Sequence, residues 1–74
     1  MITLIIAGTY EQARLCAETN ELKDWKYVAG EFSMIGVQEA RVIYFGTYYK
    51  RPDLRDLRVY VNYQGWESRI IDKQ

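Results

Sequence analysis

The sequence predicts a small α/β domain built on a parallel sheet, and three observations carry that expectation. The first is an apolar run from Ile2 to Ala7 with almost no polar interruption. A strand that reads this way is buried on both faces, as parallel strands are. The second is a repeat: LIIAGTY at residues 4–10 returns as VIYFGTY at 42–48, with Ile5/Ile43, Gly8/Gly46, Thr9/Thr47 and Tyr10/Tyr48 identical. The third is the spacing Thr9-x-x-Gln12, a capping box that starts a helix straight after the first copy. A strand, a Gly-Thr turn and a helix make a crossover unit, and such units pair their strands in parallel.

The first strand ends at Gly8. The helix after Thr9 carries Ala13, Cys16, Ala17 and Asn20 on one stripe, at i, i+3, i+4 and i+7. These side chains are small, so the helix can lie close to a sheet. Leu15 and Leu22 flank the stripe, while Glu11, Gln12, Arg14 and Glu18 fall outward. Residues 25–29 read as a second strand ending at Gly30. Residues 31–40, with Phe32, Met34, Ile35 and Val37, read as a loop holding one helical turn. Residues 41–45 form a third strand ending at Gly46.

Beyond it, Pro52 suits the first position of a helix, and Asp53 suits its positive end. Leu54, Leu57 and Val61 follow at helical spacing, and Gly65 can stop the helix. This predicts a helix over 53–63. A hairpin competes with it: Arg58 to Tyr63 is rich in β-branched and aromatic residues, and Gln64-Gly65 can turn into 66–71. A short edge strand over 66–71 fits both readings. The layout is β-α-β-β-α with an optional last strand, and central parallel strands in the order 2-1-3. It is a minimal three-layer Rossmann-like fragment.

A chain of 74 residues is one domain, 1–74. A domain so small buries only about 60% of its unfolded surface, and most such scaffolds add a staple. One cysteine forbids an intrachain disulfide, and the lack of histidine excludes a His/Cys zinc site within one chain. Self-association is the route left. Seven tyrosines and two tryptophans favour it, because a large apolar ring with a polar tip suits interfaces. We therefore expect a homo-oligomer without cofactor or metal. Ten basic residues balance ten acidic ones, so the chain as a whole lacks the basic field that nonspecific nucleic-acid binding wants. No signal peptide is visible, the apolar runs fall far short of the ~20 residues that span a bilayer, and a lone cysteine fits a cytoplasmic protein.

Ligands of open α/β sheets bind beyond the carboxyl ends of the strands, where the strand order reverses. In the order 2-1-3 that point lies between the two Gly-Thr-Tyr copies. Gly8, Thr9, Tyr10, Gly46, Thr47, Tyr48 and Tyr49 then line one rim, with Lys50 and Arg51 beside it. Helix N-termini suit an anion, paired tyrosines can sandwich a base, and Lys50 with Arg51 can hold a phosphate. Folding alone also accounts for these turns, since glycine ends a strand and threonine caps a helix. No G-x-G-x-x-G and no G-x-x-x-x-G-K-[ST] is present. The stretch 48–58 interleaves tyrosines with Lys50, Arg51, Arg55 and Arg58, a mixture that binds single-stranded nucleic acid. Asp53 and Asp56 dilute it and pair with the basic residues at helical spacing. With no histidine as general base and Cys16 on the inward stripe, we expect no enzyme.

The pattern Gly-Thr-x-x-Gln-Ala within Ala7–Ala13, with Ala17, the group Trp25, Tyr27 and Val28, and the run Val42–Asp53 resembles a group of short uncharacterised proteins of tailed bacteriophages. The resemblance covers residues 4–57 and is most specific at Gly46-Thr47-Tyr48-Tyr49 with Arg51-Pro52-Asp53; the tail from Val59 matches less well. The same group is similar to the second half of a helicase-type P-loop domain without its nucleotide motifs. The resemblance implies a Rossmann-like fold and the cytoplasm of an infected bacterium, and it transfers no catalytic residue.

Three functions follow as expectations. The first is a non-enzymatic phage interaction protein that binds and modulates a host or phage macromolecule, with counter-defence inhibition as one use. Its interface would use Tyr48, Tyr49, Arg51, Arg55, Arg58, Tyr60 and Trp66. The second is an oligomeric sponge for a nucleotide-like anion at the paired turns. The third is a single-stranded nucleic-acid accessory protein.

Overall fold

A computed structural model describes residues 1–71. Four strands, β1 (Ile2–Ala7), β2 (Trp25–Tyr27), β3 (Ala40–Phe45) and β4 (Glu67–Ile71), form one sheet in the order β2-β1-β3-β4. All three pairings are parallel. The expected order 2-1-3 holds, and β4 extends it at the β3 side. Helix α1 (Tyr10–Thr19) connects β1 to β2, and α2 (Leu54–Gln64) connects β3 to β4. Short 3-10 turns occupy Glu31–Met34 and Tyr48–Lys50.

The period-2 geometry of the two central strands divides the core into two layers. Leu4, Ile6, Val42 and Tyr44 face one side, where Met34 of the first 3-10 turn and Leu57 and Val61 of α2 cover them. Ile5, Ala7, Ile43 and Phe45 face the other, against Ala13, Cys16 and Ala17 of α1. The small stripe of α1 is therefore buried as its spacing indicates. This two-sided cover is what the near-continuous apolar reading of β1 requires.

Several boundaries differ from expectation. Asn20 is exposed rather than inward; its Nδ2 donates to the Cys16 carbonyl at 2.8 Å and closes the end of α1. The second strand stops at Tyr27 instead of residue 29. Val28 still donates its N–H to Ile5 at 2.9 Å, but the carbonyls of Val28 and Ala29 turn to Arg51. Gly46-Thr47 does not lead directly into a helix, because the 3-10 turn over Tyr48–Lys50 intervenes. Helix α2 then starts at Leu54, one residue later than expected, and Asp53 makes no capping hydrogen bond with its side chain. Its carboxylate is held by Arg51. The hairpin alternative for 58–71 is excluded: α2 runs to Gln64, Gly65 stops it at φ +74°, and β4 lies parallel to β3. Only glycine takes that left-handed stop without strain.

Candidate functional site

The carboxyl ends of β1 and β3 bring the two Gly-Thr turns together. Thr9 Oγ1 accepts from the Gln12 N–H at 3.2 Å, the forward half of the capping box. The return half differs from the usual box. Gln12 Oε1 accepts from Gly8 N–H at 3.0 Å, from Thr47 N–H at 3.0 Å and from the Thr47 hydroxyl at 3.2 Å. One side-chain oxygen thus ties the two turns, reaching 35 residues along the sequence from Gln12 to Thr47. A Cβ on Gly8 would run into Thr47 Oγ1, and one on Gly46 would run into the end of Gln12. The glycines of the repeat are there for this close approach; Gly46 also sits at φ +66°. The N–H groups of Gly8 and Thr47, which face the position an anion would take, are already satisfied by the chain itself.

Arg51 completes the closure. Its side chain is only 8% exposed. Nε and Nη2 hold both oxygens of Asp53, at 3.0 and 2.9 Å. Nη1 donates to the carbonyls of Ala7, at 3.1 Å, and Val28; Nη2 also donates to Ala29 at 3.0 Å. All five guanidinium N–H donors are engaged. The guanidinium also lies 5.7 Å from the centre of the Tyr27 ring, in cation–π range. Arg51 therefore pins the ends of β1 and β2 to the start of α2, and no donor is left for a phosphate. Lys50 beside it is exposed.

The aromatic residues fall into separate groups. Tyr10, 54% exposed, packs on Trp25 and edge-on to Tyr27. Tyr44, Tyr48 and Tyr49 form a file with ring centres 5.5 and 5.6 Å apart. Tyr10 and Tyr48 thus belong to different clusters and do not form one sandwich. Tyr48 and Arg58 line a groove between α2 and β4 together with Tyr44 and Ile70. Its volume is about 220 Å³, below the ~300–1,000 Å³ of small-molecule pockets. It can take one or two side chains. Tyr60 and Trp66 pack on each other at the opposite end of α2, where Trp66 Nε1 donates to the Gln38 carbonyl at 3.2 Å. The seven expected interface residues are therefore dispersed. Arg51 is internal, Tyr60 and Trp66 are half-buried, Tyr48 and Arg58 sit at the groove, and Tyr49 and Arg55 are exposed.

The most exposed apolar residues of α2 are ones the sequence reading passed over. Val59 and Tyr63 are 61% and 86% exposed, and they line an open depression with Glu31, Asp56 and Tyr60. Phe32 and Ile35, next to Glu31 in the chain, are also exposed. The signal was available: Val59 and Tyr63 are four residues apart and lie opposite the Leu57/Val61 stripe.

Among the described residues no group of three or more His, Cys, Asp or Glu could hold a metal ion, and no helix is long and apolar enough to cross a membrane. Burial pushes the Cys16 thiol above its ordinary value of 9.0, against a hydrogen bond from Asn20 and the charge of Arg69. Burial likewise raises the Tyr44 phenol above 10.0, with Arg58 opposing it and Tyr48 adding to it. Both groups are held neutral by the fold, so the unfolded chain releases these protons first. Their contribution to stability is whole below about pH 9 and is lost as pH climbs through the raised values. Melting temperature should stay level from neutral pH to about 9 and then fall, with the earlier part of the fall reduced in Cys16→Ala. A level profile up to about pH 11 would contradict this.

No family model, no curated protein and no solved structure matches the chain.

Proposed function

We propose that this chain is a non-enzymatic interaction protein that binds a macromolecule through the outer face of α2 and the neighbouring 3-10 turn. The observation that supports the reading most is the depression at Val59 and Tyr63. Single exposed apolar residues are ordinary on any protein. Here Val59 and Tyr63 share one concavity, and Phe32 and Ile35 are exposed on the adjoining turn. Glu31 and Asp56 give it an acidic rim, and Arg55 follows one helical turn before Val59. An apolar centre within a polar rim is the usual anatomy of an interface. A partner with an apolar or aromatic anchor flanked by basic residues fits it.

The geometry of the paired turns favours this reading over the sponge, since Gln12 and Arg51 fill the place a nucleotide-like anion would need. The absence of histidine and the full burial of Cys16 favour it over catalysis. The resemblance of Gly46–Asp53 to short phage proteins is the reason to look for the partner among host and phage macromolecules, with counter-defence inhibition as one use.

The double variant Val59→Arg with Tyr63→Glu keeps the buried side of α2 intact. Proteins captured by the wild-type chain from infected-cell lysate should be lost with this variant while circular dichroism stays unchanged. Equal capture by the two proteins, or none above background with wild type, would reject the reading.

A further inference from the structure

The sheet has two edges, and they differ in kind. The β2 edge is three residues long, and the carbonyls just beyond it are taken by Arg51. The β4 edge is five residues long, and four of the five are exposed. It carries no proline and no bulge-forming glycine, two of the devices that blunt an open edge; a third, charged side chains, is present as Glu67 and Arg69 and is matched in the pairing below. Its charged residues, Glu67 and Arg69, have opposite signs and are two apart, so they project from the same face. That face also holds Arg41 and Ile43, their register partners on β3. Arg41 reaches Glu67 only loosely, at 3.9 Å.

We propose that β4 pairs antiparallel with β4 of a second copy, about a twofold axis at Ser68, so that two four-stranded sheets join into one. In this register Glu67 lies opposite the partner's Arg69, and Arg69 opposite the partner's Glu67. Ser68 faces its own counterpart, and Ile70 faces the partner's Trp66. Opposite charges placed directly across strands are favourable, and like charges are not. The neighbouring registers lack this match: an axis at Glu67 sets Glu67 against itself, and an axis at Arg69 sets Arg69 against itself. Ile70, 54% exposed in one copy, gains an apolar neighbour. The pairing also supplies the edge strand with the backbone partners that a single copy leaves to water. A joint of five residues lies at the small end of interfaces, below about 1,200 Å², so the dimer forms and dissociates with concentration. The pairing strand shares no residue with the α2 depression, although Trp66 packs on Tyr60 at its rim; the charge reversals at Glu67 and Arg69 and the variants at Val59 and Tyr63 test the two proposals independently.

Sedimentation velocity from roughly 10 to roughly 500 µM brackets an interface of this size. Wild type should move from monomer towards dimer across that range. Glu67→Arg alone, or Arg69→Glu alone, should weaken dimerisation by about ten-fold or more, because the twofold repeats each repulsion. The double swap, Glu67→Arg with Arg69→Glu, should restore it. Ser68→Cys should form a disulfide-linked dimer on mild oxidation, since residues at the axis lie within about 5.5 Å, while Ile70→Cys should not. A monomer at all concentrations, or a dimer indifferent to the single reversals, overturns the proposal. So does cross-linking that is equal at positions 68 and 70. Circular dichroism of each variant shows that the monomer fold is kept.

Discussion

Replacing Arg51 with alanine is expected to bring the domain to the edge of unfolding. The guanidinium is almost wholly buried and holds both oxygens of Asp53 and three main-chain carbonyls. The Asp53 side chain is 36% exposed, so water solvates much of the charge left behind. The larger loss is the hydrogen bonds from the buried cation, worth about 1.5–3 kcal/mol each. The carbonyls of Ala7, Val28 and Ala29 lose their donor in the same step. A chain of this length holds only on the order of 4–11 kcal/mol in total. Urea unfolding followed by circular dichroism should therefore show a midpoint near zero denaturant, or no cooperative transition. Arg51→Lys should rescue little: an ammonium keeps the charge but has three donors and no planar fork for the carboxylate. A loss below about 1 kcal/mol in the alanine variant would show that the clamp is incidental.

Arg51 also marks the limit of what the residues reveal before the fold is known. Local patterns read through to structure where they act over a few residues. The apolar runs became buried parallel strands, the small stripe of α1 met the sheet, and Gly65 stopped α2 in the left-handed conformation. The repeat placed both Gly-Thr turns at one rim because a parallel pair brings equivalent strand ends together. What was not legible depends on contacts across 20 residues or more. Arg51 reads as a free cation next to Lys50, yet its partners at the end of β1 and just beyond β2 lie 44, 23 and 22 residues away. Gln12 reads as an outward residue of a capping box, yet it reaches Thr47. Asp53 reads as a helix cap, yet a bidentate partner two residues before it takes both oxygens. Arg51 and Gln12 each had a local use and a longer-range one, and burial at the strand ends favoured the longer-range one; Asp53 then follows Arg51, its neighbour two residues away. The exposed pair Val59 and Tyr63 on α2 was less legible for another reason. The stretch 48–58 carries the denser run of charged and aromatic residues; of these the fold takes Arg51 inside, while Tyr49, Lys50, Arg55 and Arg58 stay exposed.

The two repeated glycines should respond differently to alanine, and the difference tests why the turns are written alike. Gly8 has no left-handed backbone; its difficulty is a Cβ that would strike Thr47 Oγ1. Gly8→Ala should cost about 1–3 kcal/mol, the usual range for overpacking. Thr47→Ala alone removes one hydrogen bond to Gln12 and should cost about 1 kcal/mol. Combined, the two should be less damaging than their sum by at least about 1 kcal/mol, because trimming the hydroxyl makes room for the methyl. Gly46 carries two burdens: a Cβ there would meet Gln12, and its φ of +66° is one that residues with a Cβ rarely adopt. Shortening Gln12 can relieve only the first, and it also strips the acceptor from Gly8 and Thr47. Gly46→Ala should therefore stay destabilised in a Gln12→Ala background, by about 1 kcal/mol of backbone strain beyond the cost of Gln12→Ala itself. Strict additivity at Gly8 and Thr47, or full rescue at Gly46, would mean that the Gln12 junction does not hold the two turns in contact. Rescue at the first site and not at the second would show that one repeated phrase meets two different demands, close approach at Gly8 and a left-handed backbone at Gly46.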